Sequence, residues 1–269
     1  MNSIIQTPYI RNEKKWYFLS VFYAKEKWRD LITWIMQYYR SRTGQFDTFL
    51  FSFSIEKGEH IQVTLVSSAN DNHNYTNDIQ IFFQTVVDQY PSISYTPFPY
   101  GKGIWCNYPN NTLTWNRFRL PFYTDQYIRF HQLTMRVALN LMEDDFSEET
   151  IFSVGMYLFT KVLCCIDIKE QKKTLSQILY EAAVNNSTNL DIIKKLIADM
   201  DIDEVYEAIV SYRNEDTSEY SLELINWLDE VDILLKYFRC DTLYMFICRI
   251  LGLTGARQIM IIELLNKFM

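Results

Sequence analysis

The chain has 269 residues, 48% of them hydrophobic, with only 7 Gly and 3 His beside 18 Phe, 19 Tyr and 6 Trp. The low glycine count and the absence of GxxxxGK[ST] and GxGxxG sequences exclude a nucleotide-binding loop, and three scattered histidines exclude an HExxH metal site. A net charge of −7 disfavours nucleic acid as a partner, because an acidic chain repels phosphate groups.

The sequence also indicates where in the cell the protein is expected. No stretch approaches the roughly 18 apolar residues that a membrane-spanning helix needs, and Met1–Lys15 lacks the apolar core of a signal peptide. The five cysteines form no CxxC pair, which favours free, buried thiols. These patterns predict a cytoplasmic protein with no membrane partner, no metal and no cofactor.

The first hundred residues mix strands and helices. Trp16–Tyr23 is rich in β-forming residues and predicts a strand. Lys25–Tyr39 carries apolar residues at spacings of three and four, which predicts an amphipathic helix. A second helix is predicted over Asn77–Gln89.

A β-hairpin is predicted between these two helices. Apolar and polar residues alternate over 49–56 and 60–65, and the turn between them is polar and contains Gly. Side chains alternate across a strand, so His60, Gln62 and Thr64 share one face while the opposite face is aliphatic and belongs to the core.

Residues 91–121 hold five of the six prolines, which predicts an extended or irregular segment. The segment is also rich in aromatic residues, including Trp105. We expect such a loop to fold against the body or to cover a binding site. Arg117 and Arg119 would share one face of an extended segment, where an arginine pair can clamp a carboxylate; an ordinary ion pair is the alternative.

The remainder of the chain predicts helices almost throughout. Their expected ranges are 125–143, 148–165, 168–184, 189–200, 203–213, 219–238, 241–251 and 255–268. Ser147 and Asp241 are predicted as N-caps, and Gly252 as a C-terminal cap. The whole predicts an α+β fold in a single domain over residues 1–269, with a mixed sheet from the N-terminal third and a mainly helical C-terminal half.

Among the titratable residues, His60 is the candidate for acid–base catalysis or substrate hydrogen bonding, with a satisfied structural histidine as the alternative. His73 lies in a polar loop and His131 within a predicted helix, so both are interpreted as structural. No Ser-His-Asp or Cys-His arrangement is legible. Residue chemistry alone therefore indicates an α+β domain with an aromatic-lined cleft.

The order of segments resembles the thiopeptide-type bacteriocin biosynthesis family. The resemblance rests on the Trp16 strand, the pair Phe49–Ser54 and Gly58–Thr64, and Asp241–Gly252 before a last helix. That family is the stand-alone relative of the C-terminal glutamate-elimination domain of lantibiotic dehydratases. The resemblance spans essentially the whole chain and implies a role in maturing a ribosomally made peptide.

The resemblance implies one of two chemistries. Eliminating members remove glutamate from glutamylated Ser or Thr to give dehydroamino acids. Cyclase members of similar fold join two dehydroalanines in a formal [4+2] cycloaddition that makes a pyridine ring. Both kinds bind a precursor peptide that carries its leader.

This chain departs from the eliminating pattern at its charged positions. Ser52 and Phe53 stand where that pattern has Arg-Tyr, and His60 is kept while Gln62 and Thr64 stand where it has arginines. The same holds elsewhere: Phe98 and Pro99 replace a charged pair before Tyr100, and Tyr244, Phe246 and Cys248 replace two His and an Asn, while Met245 and Arg249 remain.

These losses bear on chemistry. Expelling a glutamate carboxylate needs a base for the α-proton and cations for the leaving group, and Gln or Thr cannot replace an arginine fork. The first hypothesis is therefore a lyase- or cyclase-type tailoring enzyme, in which positioning matters most. Its expected catalytic residues are His60, Tyr100, Tyr244 and Arg249, and its expected substrate-binding residues are Gln62, Thr64, Trp105, Arg117 and Arg119.

Two alternatives remain open. One is a non-catalytic partner that binds the precursor peptide or a dehydratase. The other is an unrelated α+β binding protein.

Overall fold

The structure is a computed structural model that describes residues 8–42, 44–68, 70–71, 73–92, 108–115, 118, 120–185 and 190–269, with backbone only for 182–185 and 190–192. The chain forms two compact units, Met1–Tyr123 and Thr124–Met269. The predicted α+β class is confirmed, with the sheet in the first unit and helices alone in the described parts of the second. That the whole chain is a single domain stays a prediction.

The first unit contains a five-stranded sheet and two long helices. Its elements are β1 (Tyr9–Arg11), β2 (Lys14–Phe22), α1 (Trp28–Ser41), β3 (Thr48–Ser54), β4 (His60–Ser68), α2 (Thr76–Gln89) and β5 (Thr112–Trp115), with a 3-10 turn over Lys25–Lys27. The predicted first strand, hairpin and two helices are confirmed. β1 and β5 were not predicted, because three or four residues beside turns and prolines carry no clear alternation.

The sheet order is β3-β4-β2, with β1 and β5 both paired to the outer edge of β2. From β2 to β5 this is the split βαβ arrangement of ferredoxin-like folds. Every described strand pair is antiparallel, which corrects the expected mixed sheet. The reason is that each helical connection joins two parallel strands that are not neighbours: β4 lies between β2 and β3, and β2 lies between β4 and β5.

The helices cover one face of this sheet with aromatic contacts. Trp28 stacks on Phe53 at 5.0 Å between ring centroids, and Tyr39 stacks on Phe49 at the same distance. The indole Nε1 of Trp115 donates to Gln80 Oε1 on α2 at 2.5 Å. The odd-numbered side chains of β2, β3, β4 and β5 therefore face the helices and form the core of the first unit.

The second unit is a helical assembly. Its helices are α3 (Asp125–Met142), α4 (Glu148–Cys164), α5 (Ile168–Asn185), α6 (Leu190–Ala198), α7 (Ile202–Asn214), α8 (Leu222–Leu234), α9 (Cys240–Leu251) and α10 (Ala256–Phe268). Each predicted helix is found, although α8 is much shorter than expected. A 3-10 turn at Thr217–Glu219 and the end of α8 at Leu234 account for the difference.

The helix ends test the predicted caps. Ser147 caps α4 by accepting from the Thr150 N–H, and Gly252 ends α9 in the left-handed region with φ 71°. Asp241 is not the N-cap of α9, because the helix already begins at Cys240. Its carboxylate instead accepts from the Thr242 N–H within the first turn, at 2.7 Å.

α4 is the central helix of this unit and is buried almost all round from Ile151 to Leu163. An all-round apolar helix belongs in the middle of a core, and α4 contacts α7, α9 and α10. None of the helices in the described ranges is both long and apolar enough to cross a bilayer.

The prediction of buried cysteine thiols is confirmed only in part. Cys240 and Cys248 are buried as predicted, but Cys164 is exposed and Cys165 half-buried. The difference arises because Cys164 and Cys165 lie where α4 ends and its chain turns to the surface. Cys106 lies outside the described residues.

One charged side chain is buried within α4. The ammonium of Lys161 pairs with Glu215 at 2.8 Å and donates to the Tyr212 carbonyl and the Tyr220 hydroxyl, each at 2.6 Å. Tyr157 donates to the same carboxylate at 2.9 Å. These bonds compensate the desolvated ammonium and join α4 to α7 and the segment after it.

We predict that Lys161→Met lowers the free energy of unfolding by about 2 kcal/mol, because the substitution leaves the Tyr212 carbonyl and the partly exposed Glu215 carboxylate without their cation. Urea denaturation measures the change. Lys173→Met is the matched control: its ion pair with Glu170 is exposed, and its removal should change stability by about 0.5 kcal/mol or less. Equal stabilities of Lys161→Met and wild type would contradict the prediction.

Candidate functional site

A row of four polar side chains crosses the sheet on the face opposite the helices. Ser52 is paired in register with Gln62, Gln62 with Ser20, and Ser20 with Thr114. We call these four residues the polar row. Its members come from β3, β4, β2 and β5, so the order of the strands and not the order of the sequence places them side by side.

A second row lies next to it and contains His60, paired with Phe22 and Ser54. His60 Nδ1 donates to the Gly58 carbonyl at 2.8 Å, which leaves Nε2 to accept a 3.4 Å bond from the Gln62 amide. The Gln62 Oε1 in turn accepts from the Ser52 hydroxyl at 3.1 Å. This network assigns the Nδ1–H tautomer to His60. The predicted common face of His60, Gln62 and Thr64 is confirmed.

The two rows are electrically neutral at neutral pH. Burial lowers the pKa of His60, and the Gly58 carbonyl and Glu56 only partly oppose that effect. None of the other residues paired in these rows carries a charge. On β2 the same face reaches a lysine at Lys14, six residues from Ser20 and therefore about 20 Å away.

Two hydroxyl groups of the polar row lack partners. The Ser20 Oγ and the Thr114 Oγ1 are buried and make no hydrogen bond with any group in the described parts of the chain. Ser20 as a residue is only 1% exposed. A buried polar group without a partner is costly, so two such neighbours on one face form a candidate binding site; the Ser67 Oγ on the helix-facing side is also buried without a partner among the described residues, but it stands alone there.

Aromatic contacts flank Ser20 along β2. On one side Phe22 lies 4.8 Å from the Tyr108 ring and 4.4 Å from the His60 ring. On the other side Phe18 contacts Phe118 at 5.3 Å. The alternate residues of this strand face are therefore aromatic, polar, aromatic, and the polar position lies between two aromatic residues that are about 13 Å apart along the strand.

The described part of the proline-rich segment is tied to this end of the sheet. Tyr108 N donates to the Lys57 carbonyl at 2.7 Å, and Asn111 Oδ1 accepts from the Ser92 N–H at 2.8 Å. Gly58 adopts φ 119°, and a Cβ there would lie 3.1 Å from the Tyr108 carbonyl oxygen. The predicted packing of the aromatic loop against the body is thus seen at Tyr108 and Asn111.

The predicted site residues fall into three groups. His60, Gln62 and Thr64 lie together on the face just described, with Thr64 1% exposed. Tyr244 and Arg249 belong to α9 in the second unit. Tyr100, Trp105, Arg117 and Arg119 lie outside the described residues. The roles predicted for all of them remain predictions.

Tyr244 and Arg249 have different surroundings within α9. Tyr244 is 1% exposed, its ring lies 4.3 Å from that of Phe159, and its hydroxyl donates to the Gln258 carbonyl at 2.5 Å. Burial holds the pKa of the Tyr244 phenol well above its usual range, so the group is a neutral donor. Arg249 is exposed, one turn from the exposed Met245.

Ser20 and Thr114 were not predicted as site residues. The sequence does carry a signal for Ser20, because it is a small polar residue within the otherwise apolar strand segment 16–22. No such signal exists for Thr114, since β5 lies in the proline-rich segment. Among the described residues, no three His, Cys, Asp or Glu side chains are grouped as a metal ion would require.

No protein-family model matches the chain, and no curated protein sequence matches it. Its fold is similar to that of a pyridine synthase, TbtD, from thiomuracin biosynthesis, with a TM-score of 0.66. The match covers 94% of this chain and 96% of that one at 12% sequence identity. At such identity the likeness shows a shared fold, here that of a thiopeptide biosynthesis protein.

We predict that stability falls as the pH drops from 7.5 to 5.5, in part through His60. Below pH 6.5 the unfolded chain binds a proton that the folded protein, with its lowered pKa, does not. This group contributes at most about 1.4 kcal/mol per pH unit. Urea denaturation across this range should show a shallower dependence for His60→Gln and the wild-type dependence for His73→Gln, whose side chain is exposed. Identical slopes for all three proteins would contradict this.

We predict that Tyr244→Phe lowers the free energy of unfolding by about 1 kcal/mol, because the Gln258 carbonyl loses its donor. Chemical denaturation measures the loss, with Tyr237→Phe as control because Tyr237 is 74% exposed. A variant as stable as wild type would show that the hydroxyl is not needed for the fold.

Proposed function

We propose that this protein is a tailoring protein that acts on a ribosomally made precursor peptide in thiopeptide-type antibiotic maturation. The observation that carries the proposal is the similarity of fold to a pyridine synthase over almost the full length of both chains. The resemblance in segment order, which rests on sequence alone, points to the same class independently.

The neutral polar row supports a reaction closer to cyclisation than to glutamate elimination. A glutamate carboxylate leaving a site of low polarity needs a cation, because an unpaired buried charge is costly. Ser52 and Gln62, which stand where the eliminating pattern has arginines, hydrogen-bond to each other instead. Two dehydroalanines are uncharged, so aligning them for a formal [4+2] cycloaddition needs positioning and neutral hydrogen bonds.

Within this proposal the predicted residues have distinct tasks. His60, neutral at pH 7, accepts or donates a hydrogen bond, and Arg249 orients or polarises a peptide amide. Tyr100 and Tyr244 are the phenolic donors, and Tyr244 takes that role by releasing the Gln258 carbonyl, to which its proton is donated in this structure. Gln62, Thr64, Trp105, Arg117 and Arg119 contact the peptide. No cofactor is required, and the partners are the leader-bearing precursor and a dehydratase that supplies its dehydroamino acids.

A second candidate is a non-catalytic protein that binds the precursor or the dehydratase. The hydroxyl of Tyr244 favours it, because that group is buried and already donates to a backbone carbonyl. Such a protein would keep a peptide-binding surface while making no bond.

We predict that this protein lowers the number of dehydroalanines in its precursor by two. The test co-expresses a leader-bearing thiopeptide precursor and its dehydratase, with and without this protein, and then adds a small thiol. Each dehydroalanine takes up one thiol, so mass spectrometry counts them.

The three functions give different counts. Two fewer thiol adducts support cyclisation. More adducts with this protein than without it would show glutamate elimination and contradict the proposal. An unchanged count, with the precursor retained on the purified protein, would favour the non-catalytic partner.

A further inference from the structure

We propose that the hydroxyls of Ser20 and Thr114 form a subsite that binds one neutral carbonyl oxygen of the substrate, and this rests on the proposed function for its choice of ligand. Both hydroxyls are buried and have no partner among the described residues. They are the only two members of the polar row in that state, since Ser52 and Gln62 bond to each other.

The pairing of the strands places the two hydroxyls side by side on one face. Ser20 and Thr114 are directly opposite in the β2–β5 register, so their Cβ atoms lie about 5 Å apart and point to the same face. An oxygen about 2.7 Å from each hydroxyl fits between two donors so spaced. A carbonyl oxygen has two lone pairs and satisfies both hydroxyls at once.

The surroundings select an uncharged ligand. The row carries no cation, and the neighbouring His60 is uncharged at neutral pH, because burial lowers its pKa. Within the two described rows a carboxylate would lose its hydration without gaining a counter-charge, whereas an amide carbonyl gains two hydrogen bonds. The aromatic contacts at Phe18 and Phe22 supply apolar walls on either side, which suits the flat, unsaturated side chain of a dehydroamino acid.

The subsite adjoins partly exposed residues. Ser20 itself is buried, but Gln62 on one side and Thr114 on the other are each partly exposed as residues. The site is therefore bordered by residues in contact with solvent, and it is not enclosed within the packed helix-facing core.

The test measures binding of N-acetyl-dehydroalanine methylamide and of its glutamate counterpart by NMR titration of the full chain. The variants are Ser20→Ala and Thr114→Val, singly and together. Ser67→Ala is the matched control, because Ser67 is a buried serine of the same sheet whose side chain belongs to the helix-facing set.

We expect each single variant to bind the dehydroalanine probe about five-fold more weakly and the double variant about 25-fold, as loss of one and two neutral hydrogen bonds implies. Ser67→Ala should bind as wild type does. The glutamate probe should bind wild type at least about ten-fold more weakly than the neutral probe. Ser20→Ala should also raise the melting temperature of the free protein, because it removes a buried hydroxyl without a partner.

Other results overturn the subsite. Unchanged affinity in both variants would mean that the hydroxyls hold at most an ordered water, and a lowered melting temperature of Ser20→Ala would mean that its hydroxyl has a partner. Absent binding of the neutral probe to wild type, or equal binding of the glutamate probe, would also overturn it.

The thiol count in the reconstituted pathway separates this proposal from the proposed function. If Ser20→Ala and Thr114→Val consume dehydroalanines at the wild-type rate and bind the probe with unchanged affinity, cyclisation is supported and the subsite is contradicted. If the wild-type protein binds the neutral probe and the variants bind it more weakly, but the precursor is unchanged, the subsite is supported and cyclisation is contradicted.

Discussion

The antiparallel pairing of β2 with β4 is the constraint on which the site depends. It runs over nine residue pairs, from Lys14 opposite Ser68 to Phe22 opposite His60. Because side chains alternate with a period of two, a slip of one residue would move His60, Gln62 and Thr64 of β4 into the helix-covered core. The aromatic core beneath the helices therefore enforces the register, and the register in turn assembles the polar row on the other face.

The two faces of this sheet have opposite chemistry and a common origin. One face is closed by aromatic contacts with α1, among them the stacking of Trp28 on Phe53. On the other face, the two rows that contain Ser20 and His60 hold small hydroxyls, an amide and one histidine beside aromatic residues, and none of these is charged at neutral pH. Burial keeps these rows uncharged in two ways. It lowers the pKa of His60, and it makes any ion without a counter-charge energetically costly. A surface of this kind suits recognition of peptide groups and not the stabilisation of a departing carboxylate.

The second unit shows the contrasting way of burying polar groups. Lys161 is charged and enclosed, yet every described contact of its ammonium is with an acceptor or an aromatic ring. Such a satisfied cluster acts as a structural joint between helices. Ser20 and Thr114 differ from it in having no partner, and that difference is the reason for assigning function to them and stability to Lys161.

The sequence by itself determined the local features. Periodicity located α1, α2, the hairpin and the helices of the second unit, alternation placed His60 and Gln62 on one face, and capping residues such as Ser147 marked helix ends. These features depend on neighbours within a few residues, which the sequence displays directly.

Only the tertiary structure decided which strands lie side by side. That β5 pairs with β2, so that Thr114 stands beside Ser20, depends on contact between segments more than ninety residues apart. Local propensity carries no information about such a partner, because many segments could satisfy the same unpaired strand edge. The same limit hid the antiparallel character of the whole sheet and the hydroxyl pair of the proposed subsite.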